Sequence, residues 1–328
     1  MQFPTLSSIL FLAAVRQSHA VSPKRVEFES NGINVVGNLF VPDSVNMDSV
    51  RHASLPAIVV GHPWSGVKEQ TSGLYARQLA ENGFVTLAFD AAYQGESGGL
   101  PRYLEDPHQR TEDVKYAVSY LSTLSNIVDP ERIGALGICA SGGYVPYAAQ
   151  TDKRIKAIAT VSAFDVGRNV QEAWGGGEVN YTALNHMLSV SSQMRTVEAE
   201  TGSIELAYAM PMTPEQITSD TPTMYAEGYD YYRTPRGMHP RSPGVYVARS
   251  TELMATYDSF LAMRLISPRP VLLIYGSRAD TIHFSKRAYE LAAEPKELFS
   301  VPNRTHIDLY DSTDVTLPKL VDFMRKSL

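Results

Sequence analysis

Arg132-Ile133-Gly134-Ala135-Leu136-Gly137-Ile138-Cys139-Ala140-Ser141-Gly142-Gly143-Tyr144 is the stretch that decides the fold. Its first half alternates as a buried strand over 132–138, and small residues then lead straight into a helical pattern over 142–150. That strand, turn and helix is the context in which a nucleophile is held on a strained backbone. Two side chains compete for the role. Cys139 has Gly137 and Ser141 two residues to either side, whereas Ser141 has Cys139 and Gly143 and needs a longer strand. The alternation of Ile133, Ala135 and Gly137 with Leu136 and Ile138 favours Cys139, leaving Ser141 as the alternative nucleophile. Lone cysteines are mostly inert core thiols, and it is the turn that lifts Cys139 above that reading.

Outward from this segment, β-rich runs alternate with helical ones. Runs 25–29 and 34–41 form an opening hairpin about Asn31-Gly32, residues that tolerate positive φ. Strands are expected at 56–61, 84–90 and 155–161, and helices at 69–82 and 111–125, the latter with Val114, Ala117, Val118, Leu121 and Leu124 on one face. About 100 residues without a clear strand follow Asp165, too long for an ordinary connection. The alternation then resumes with strands at 270–275 and 297–301 and helices at 284–293 and from Leu317. A doubly wound, mostly parallel α/β sheet is the consistent solution, its core formed by 21–165 and 267–328, with 166–266 inserted as a mainly helical cap.

The 328 residues carry 44% hydrophobic content and a formal net charge of −6, with no block of like charge. Disorder is excluded, and no nucleic-acid partner is expected. The single cysteine excludes an intramolecular disulfide. No His-Glu-x-x-His, phosphate loop or paired cysteine ligand is present, so neither a metal nor another cofactor is expected.

A thiol needs a base, and the base needs an orienting group. Asp280 follows the strand at 270–275 and His306 the strand at 297–301, so both reach the sheet edge where Cys139 lies. Singly, Asp280 reads as a helix cap and His306 as a loop histidine; jointly they read as acid and base. His62 comes too early for the base, His186 and His239 fall in the cap and His108 in a loop. Gly61-His62-Pro63-Trp64 ends the first buried strand, so the amides of Trp64 and Ala140 are expected to meet an oxyanion; Pro63 has none to give.

This pattern resembles the α/β-hydrolase superfamily, in the branch related to dienelactone hydrolase, which uses Cys, Asp and His. Gly61-His62-Pro63 with Gly66-Val67-Lys68-Glu69-Gln70, Tyr93-Gln94-Gly95-Glu96-Ser97-Gly98-Gly99 with Pro101-Arg102, the Cys139 turn, and Pro295-Lys296-Glu297-Leu298 through His306 to Tyr310 look like fungal polyketide transferases and thiohydrolases. The resemblance covers 25–165 and 267–328 and not the cap. It implies acyl transfer or hydrolysis of a thioester or ester through Cys139, His306 and Asp280, on a small-molecule acyl substrate of polyketide type that a synthase carrier domain can present. General ester or lactone hydrolysis, and a non-catalytic ligand-binding homologue, are the alternatives. Dienelactone hydrolase has a glutamate where this chain has Gly61-His62, so its resting-state thiol switch does not carry over; Glu69 reads as a first-turn helix residue.

The cap holds 8 of the 11 methionines and 8 of the 18 tyrosines. Tyr144, Tyr225, Tyr229 and Tyr232 are the expected lining of a roomy acyl pocket. Residues 1–20 carry an apolar run and Ser18-His19-Ala20, as a cleaved signal would, but no basic residue precedes the run. With a glycosylation pattern at Asn303, close to His306, and an unprotected thiol, this favours a cytoplasmic enzyme over a secreted one. No other stretch approaches a membrane span.

Overall fold

The computed structural model describes residues 21–43, 54–172 and 176–328, so the expected leader at 1–20 lies outside the described residues. The strands are β1 (Lys24–Ser30), β2 (Ile33–Phe40), β3 (Leu55–Gly61), β4 (Val85–Phe89), β5 (Val128–Ile138), β6 (Ile155–Val161), β7 (Leu206–Tyr208), β8 (Val245–Val247), β9 (Val271–Gly276) and β10 (Lys296–Val301). The helices are α1 (Thr71–Glu81), α2 (Pro107–Thr123), α3 (Ser141–Thr151), α4 (Val166–Gln171), α5 (Tyr181–Thr201), α6 (Thr223–Arg233), α7 (Ser250–Met254), α8 (Ile282–Leu291) and α9 (Thr316–Ser327).

Eight strands form one sheet in the order β1-β2-β4-β3-β5-β6-β9-β10. β1 pairs antiparallel with β2, and β2 with β4; every other pairing is parallel. Asn31 (φ 49°) and Gly32 (φ 77°) turn the hairpin as their residue types allow. Ala57, Ile58, Val59 and Val60 of β3 have no exposed surface, as befits a strand covered by helices on both faces. Ile58, Val59 and Val60 each contribute about 1.5–3 kcal/mol on burial. This is the α/β-hydrolase fold.

Several boundaries differ from expectation for local reasons. α2 begins four residues before Thr111, because the Asp106 side chain accepts the N–H groups of His108 and Gln109 and Pro107 fills the first helical position. His108 therefore lies in a helix, not a loop. α1 begins at Thr71, and Glu69 stands outside it, paired with the Lys68 ammonium at 2.8 Å and Arg241 at 2.5 Å. The segment between β6 and β9 adds no described strand to the main sheet, yet it is not strand-free: β7 and β8 pair as a small antiparallel hairpin. Three-residue strands with a half-exposed pattern leave no periodic signal to read. Among the described residues no helix is long and apolar enough to cross a membrane.

Candidate active site

β5 ends at Ile138, and Cys139 takes φ 55°, a left-handed conformation that costs a non-glycine residue about 1–3 kcal/mol. The turn is packed too tightly for side chains nearby. A Cβ on Gly137 would lie 1.9 Å from the Ser141 carbonyl oxygen, and one on Gly61 would lie 2.7 Å from Ser141 Cβ. The Cys139 N–H donates to the Val161 carbonyl (3.0 Å), and its carbonyl accepts from Gly142 (2.7 Å) and Phe164 (2.9 Å). Ser141 instead sits at the start of α3 with its hydroxyl donating to the His62 carbonyl at 2.6 Å. That bond turns it away from the pocket Cys139 lines.

Burial pushes the Cys139 thiol up to about 11. The Tyr310 hydroxyl, the backbone N–H groups of Ala140 and Trp64 and the Arg110 charge all act in the opposite direction. The two amides expected near an oxyanion thus converge on the sulfur itself.

β9 and β10 deliver the histidine. A Cβ on Gly276 would stand 2.3 Å from the Arg304 carbonyl oxygen, and Arg278 N–H donates to that carbonyl at 2.8 Å, so the loops after the two strands run against each other. His306 is fully buried, and that burial alone lowers its pKa to about 3, leaving a neutral ring. Its Nδ1 lies 2.6 Å from Thr281 Oγ1 and its Nε2 3.4 Å from the Tyr310 hydroxyl, which is also hydrogen-bonded to Cys139. Asp280 makes no hydrogen bond to His306 among the described residues: its Oδ2 accepts the Met224 N–H at 3.1 Å and its Oδ1 is buried without a partner. The expected acid is therefore held by α6 and not by the base. Thr281 holds the ring because it, and not Asp280, precedes the first residue of α8 with its side chain turned towards the β10 loop.

The thiol opens on a narrow cavity of about 40 Å³ lined by Trp64, Phe164, Met210, Met224, Tyr225, Tyr232 and Tyr310, among others. Trp64, Ala209, Met210 and Tyr225 also wall a second cavity of about 330 Å³ on the cap side. The expectation of one roomy pocket becomes a tight inner compartment and a wider outer one. Tyr225 and Tyr232 line it as expected; Tyr144 and Tyr229 do not. Tyr144 is behind the turn, its hydroxyl donating to Glu105 at 2.7 Å. Tyr229 is turned about 100° around α6 from the pocket-lining Gly228. A larger groove of about 590 Å³ runs between α1 and residues 235–239 and does not include Cys139. No group of three metal-ligating side chains occurs among the described residues.

Sequence reasoning missed Thr281 and Tyr310. Thr281 has the residue type of a helix cap, and the only signal for Tyr310 is its position four residues after His306.

A sequence profile of the dienelactone hydrolase family matches residues 45–173. Protein PA2218 of Pseudomonas aeruginosa, described only as uncharacterized, is 41% identical over 304 residues, covering 90% of this chain and 78% of that one. Its crystal structure aligns with a TM-score of 0.87 at 36% identity over 98% of this chain and 100% of that chain. Protein YcjY of Escherichia coli, also uncharacterized, is 43% identical over 256 residues, 78% of this chain and 82% of its own. Thiohydrolase aneE of Aspergillus aculeatus is 36% identical over 137 residues, 42% of this chain and 40% of its own.

Proposed function

Because the chain belongs to the dienelactone hydrolase family and is a hydrolase-type enzyme of the α/β-hydrolase fold, we propose that it transfers acyl groups from esters or thioesters through a covalent intermediate on Cys139. The observation that carries this reading is a cysteine at φ 55° whose sulfur receives the N–H groups of Ala140 and Trp64. Sγ attacks the carbonyl carbon as its proton passes to the Tyr310 hydroxyl, which bonds both groups and hands its own proton to Nε2 of His306, and the two amides meet the oxyanion that forms. Collapse breaks the bond to the leaving alcohol or thiol, which takes the proton from His306. Water, or an acceptor alcohol, then attacks the acyl-cysteine with His306 as base. Thr281 fixes the ring through Nδ1, and Asp280, its neighbour in the chain, is the carboxylate assigned to balance the transient imidazolium.

A thioester is the substrate class suggested by the name of the Aspergillus thiohydrolase; that its acyl group is of polyketide type and delivered by a carrier domain rests on the sequence resemblance alone. We assign the reaction to the cytoplasm, where a thiol without a resolving partner escapes oxidation. The test is intact-protein mass spectrometry after mixing with p-nitrophenyl acetate. A burst of p-nitrophenol with one acetyl group on Cys139 is expected, and equal acylation of a Cys139→Ala protein overturns the reading.

A further inference from the structure

Arg110, in the first turn of α2, is nearly fully buried behind the nucleophile turn, 29 residues before Cys139 in the chain. Its guanidinium NH2 donates to the His62 carbonyl at 2.8 Å and lies 3.4 Å from Ser141 Oγ; its NH1 lies against the His62 ring, 2.9 Å from Nε2 and 3.3 Å from Nδ1. Ser141 Oγ donates to the same His62 carbonyl at 2.6 Å. One carbonyl therefore receives a donor from α2 and a donor from the start of α3.

The His62 ring is committed as well. Its Nδ1 donates to the Pro63 carbonyl at 2.7 Å, so Nε2 accepts the Ala91 N–H at 3.0 Å while the Arg110 NH1 packs against the ring. Burial first, and the Arg110 charge second, hold this histidine neutral, which keeps Nε2 an acceptor. Trp64 follows His62 by two residues, and Ala140 immediately precedes Ser141. Each amide that meets the sulfur is thus adjacent, or nearly so, to a residue held by this guanidinium.

We propose that Arg110 is a positioning residue for acyl transfer, a single fork that fixes the Trp64 loop to the Cys139 turn so that their two N–H groups stay aimed at one point. The fork matters apart from the charge. A planar guanidinium holds NH2 on the His62 carbonyl and near Ser141 Oγ while NH1 lies along the His62 ring and Nε faces Glu105, a fixed orientation that a freely rotating ammonium does not impose. The charge has its own effect, because a buried cation behind the sulfur favours the thiolate. Glu105 balances that cation, with Oε1 3.5 Å from Nε, and the Tyr144 ring lies 5.0 Å from the guanidinium carbon. The inference rests on Cys139 being the nucleophile.

Three variants, Arg110→Lys, Arg110→Gln and Ser141→Ala, are compared with the parent by p-nitrophenyl acetate turnover and by the pH dependence of iodoacetamide alkylation, which reports Cys139 alone. Arg110→Lys is expected to lower kcat about 10- to 100-fold with KM within about twofold, as misaimed donors do, and to leave the alkylation profile in place. Arg110→Gln loses kcat similarly and moves the profile to higher pH. Ser141→Ala, which removes one hydroxyl and retains the charge, lowers kcat about 3- to 10-fold with an unmoved profile. Values of kcat within twofold of the parent for both Arg110→Lys and Ser141→Ala overturn the proposal, and so does an Arg110→Gln profile identical to the parent. Should Arg110→Gln fail to fold, the other two decide. If the parent never acylates Cys139, it is the acyl-transfer reading that fails, and the alkylation profiles still report whether the Arg110 charge acts on the thiol.

Discussion

The Thr281 hydroxyl lies 2.6 Å from Nδ1 of His306, in the position that the order of residues along the chain assigns to Asp280. A base at Nε2 needs the proton on Nδ1, so this hydroxyl oxygen accepts it and fixes the tautomer. Asp280 is engaged elsewhere, with the Met224 N–H of α6.

Thr281→Val removes the ring's partner at constant shape. A fall in kcat of about 10-fold with little change in KM is expected for an orienting contact, against about 100-fold for Asp280→Asn, which removes the counter-charge of the imidazolium. Steady-state kinetics of both variants give the comparison, and a silent Asp280→Asn beside an impaired Thr281→Val would remove Asp280 from the mechanism.

Stability should fall in acid through His306. Burial lowers its folded pKa to about 3 from the ordinary 6.5, so between those values the unfolded chain binds a proton that the native ring refuses. Stability from this group is complete above about pH 6.5 and is lost as the pH drops towards 3, at up to about 1.4 kcal/mol per pH unit. Urea unfolding at pH 7 and pH 5 measures it: the parent should lose more stability than His306→Gln over that step.

Cys139 is expected to alkylate slowly at neutral pH. Its thiol is raised to about 11 by burial, so the thiolate fraction grows about tenfold per pH unit until that region. Iodoacetamide rates from pH 7 to 10 test this, and fast labelling that is flat above pH 7 would contradict a neutral pair of thiol and imidazole.

The inner cavity of about 40 Å³ sets a chain-length preference. Acetyl and propionyl esters should exceed octanoyl esters in kcat/KM, and Met210→Ala, at the wall shared with the outer cavity, should raise octanoyl turnover at least about threefold while leaving acetyl turnover within twofold. A series of p-nitrophenyl esters reads both.

What the sequence conveys well is whatever repeats or breaks a local period. The apolar run of β3, the alternation ending at Ile138 and the turn at Asn31-Gly32 each announce an element within a few residues. The nucleophile turn is legible for the same reason. Thr281, Tyr310 and Arg110 are not, because their roles are created by tertiary approach. Arg110 meets His62 across 48 positions of chain, and nothing in the amphipathic pattern of α2 marks its first turns as different from a solvated helix end. Tyr144 shows the converse error: a tyrosine five residues after the nucleophile faces the start of α2, where it serves Glu105 and packs against Arg110 and not the substrate.

The closeness of Gly137 to the Ser141 carbonyl has an evolutionary reading. Position 139 is the one address in this turn from which a side chain reaches the pocket while its neighbours have no space to grow, so the site can change its nucleophile from sulfur to oxygen by a single-atom exchange at that address. Moving the nucleophile two residues on to Ser141 would instead require rebuilding two loops and the helix between them. The backbone thereby restricts where such chemistry can wander and leaves open which element performs it.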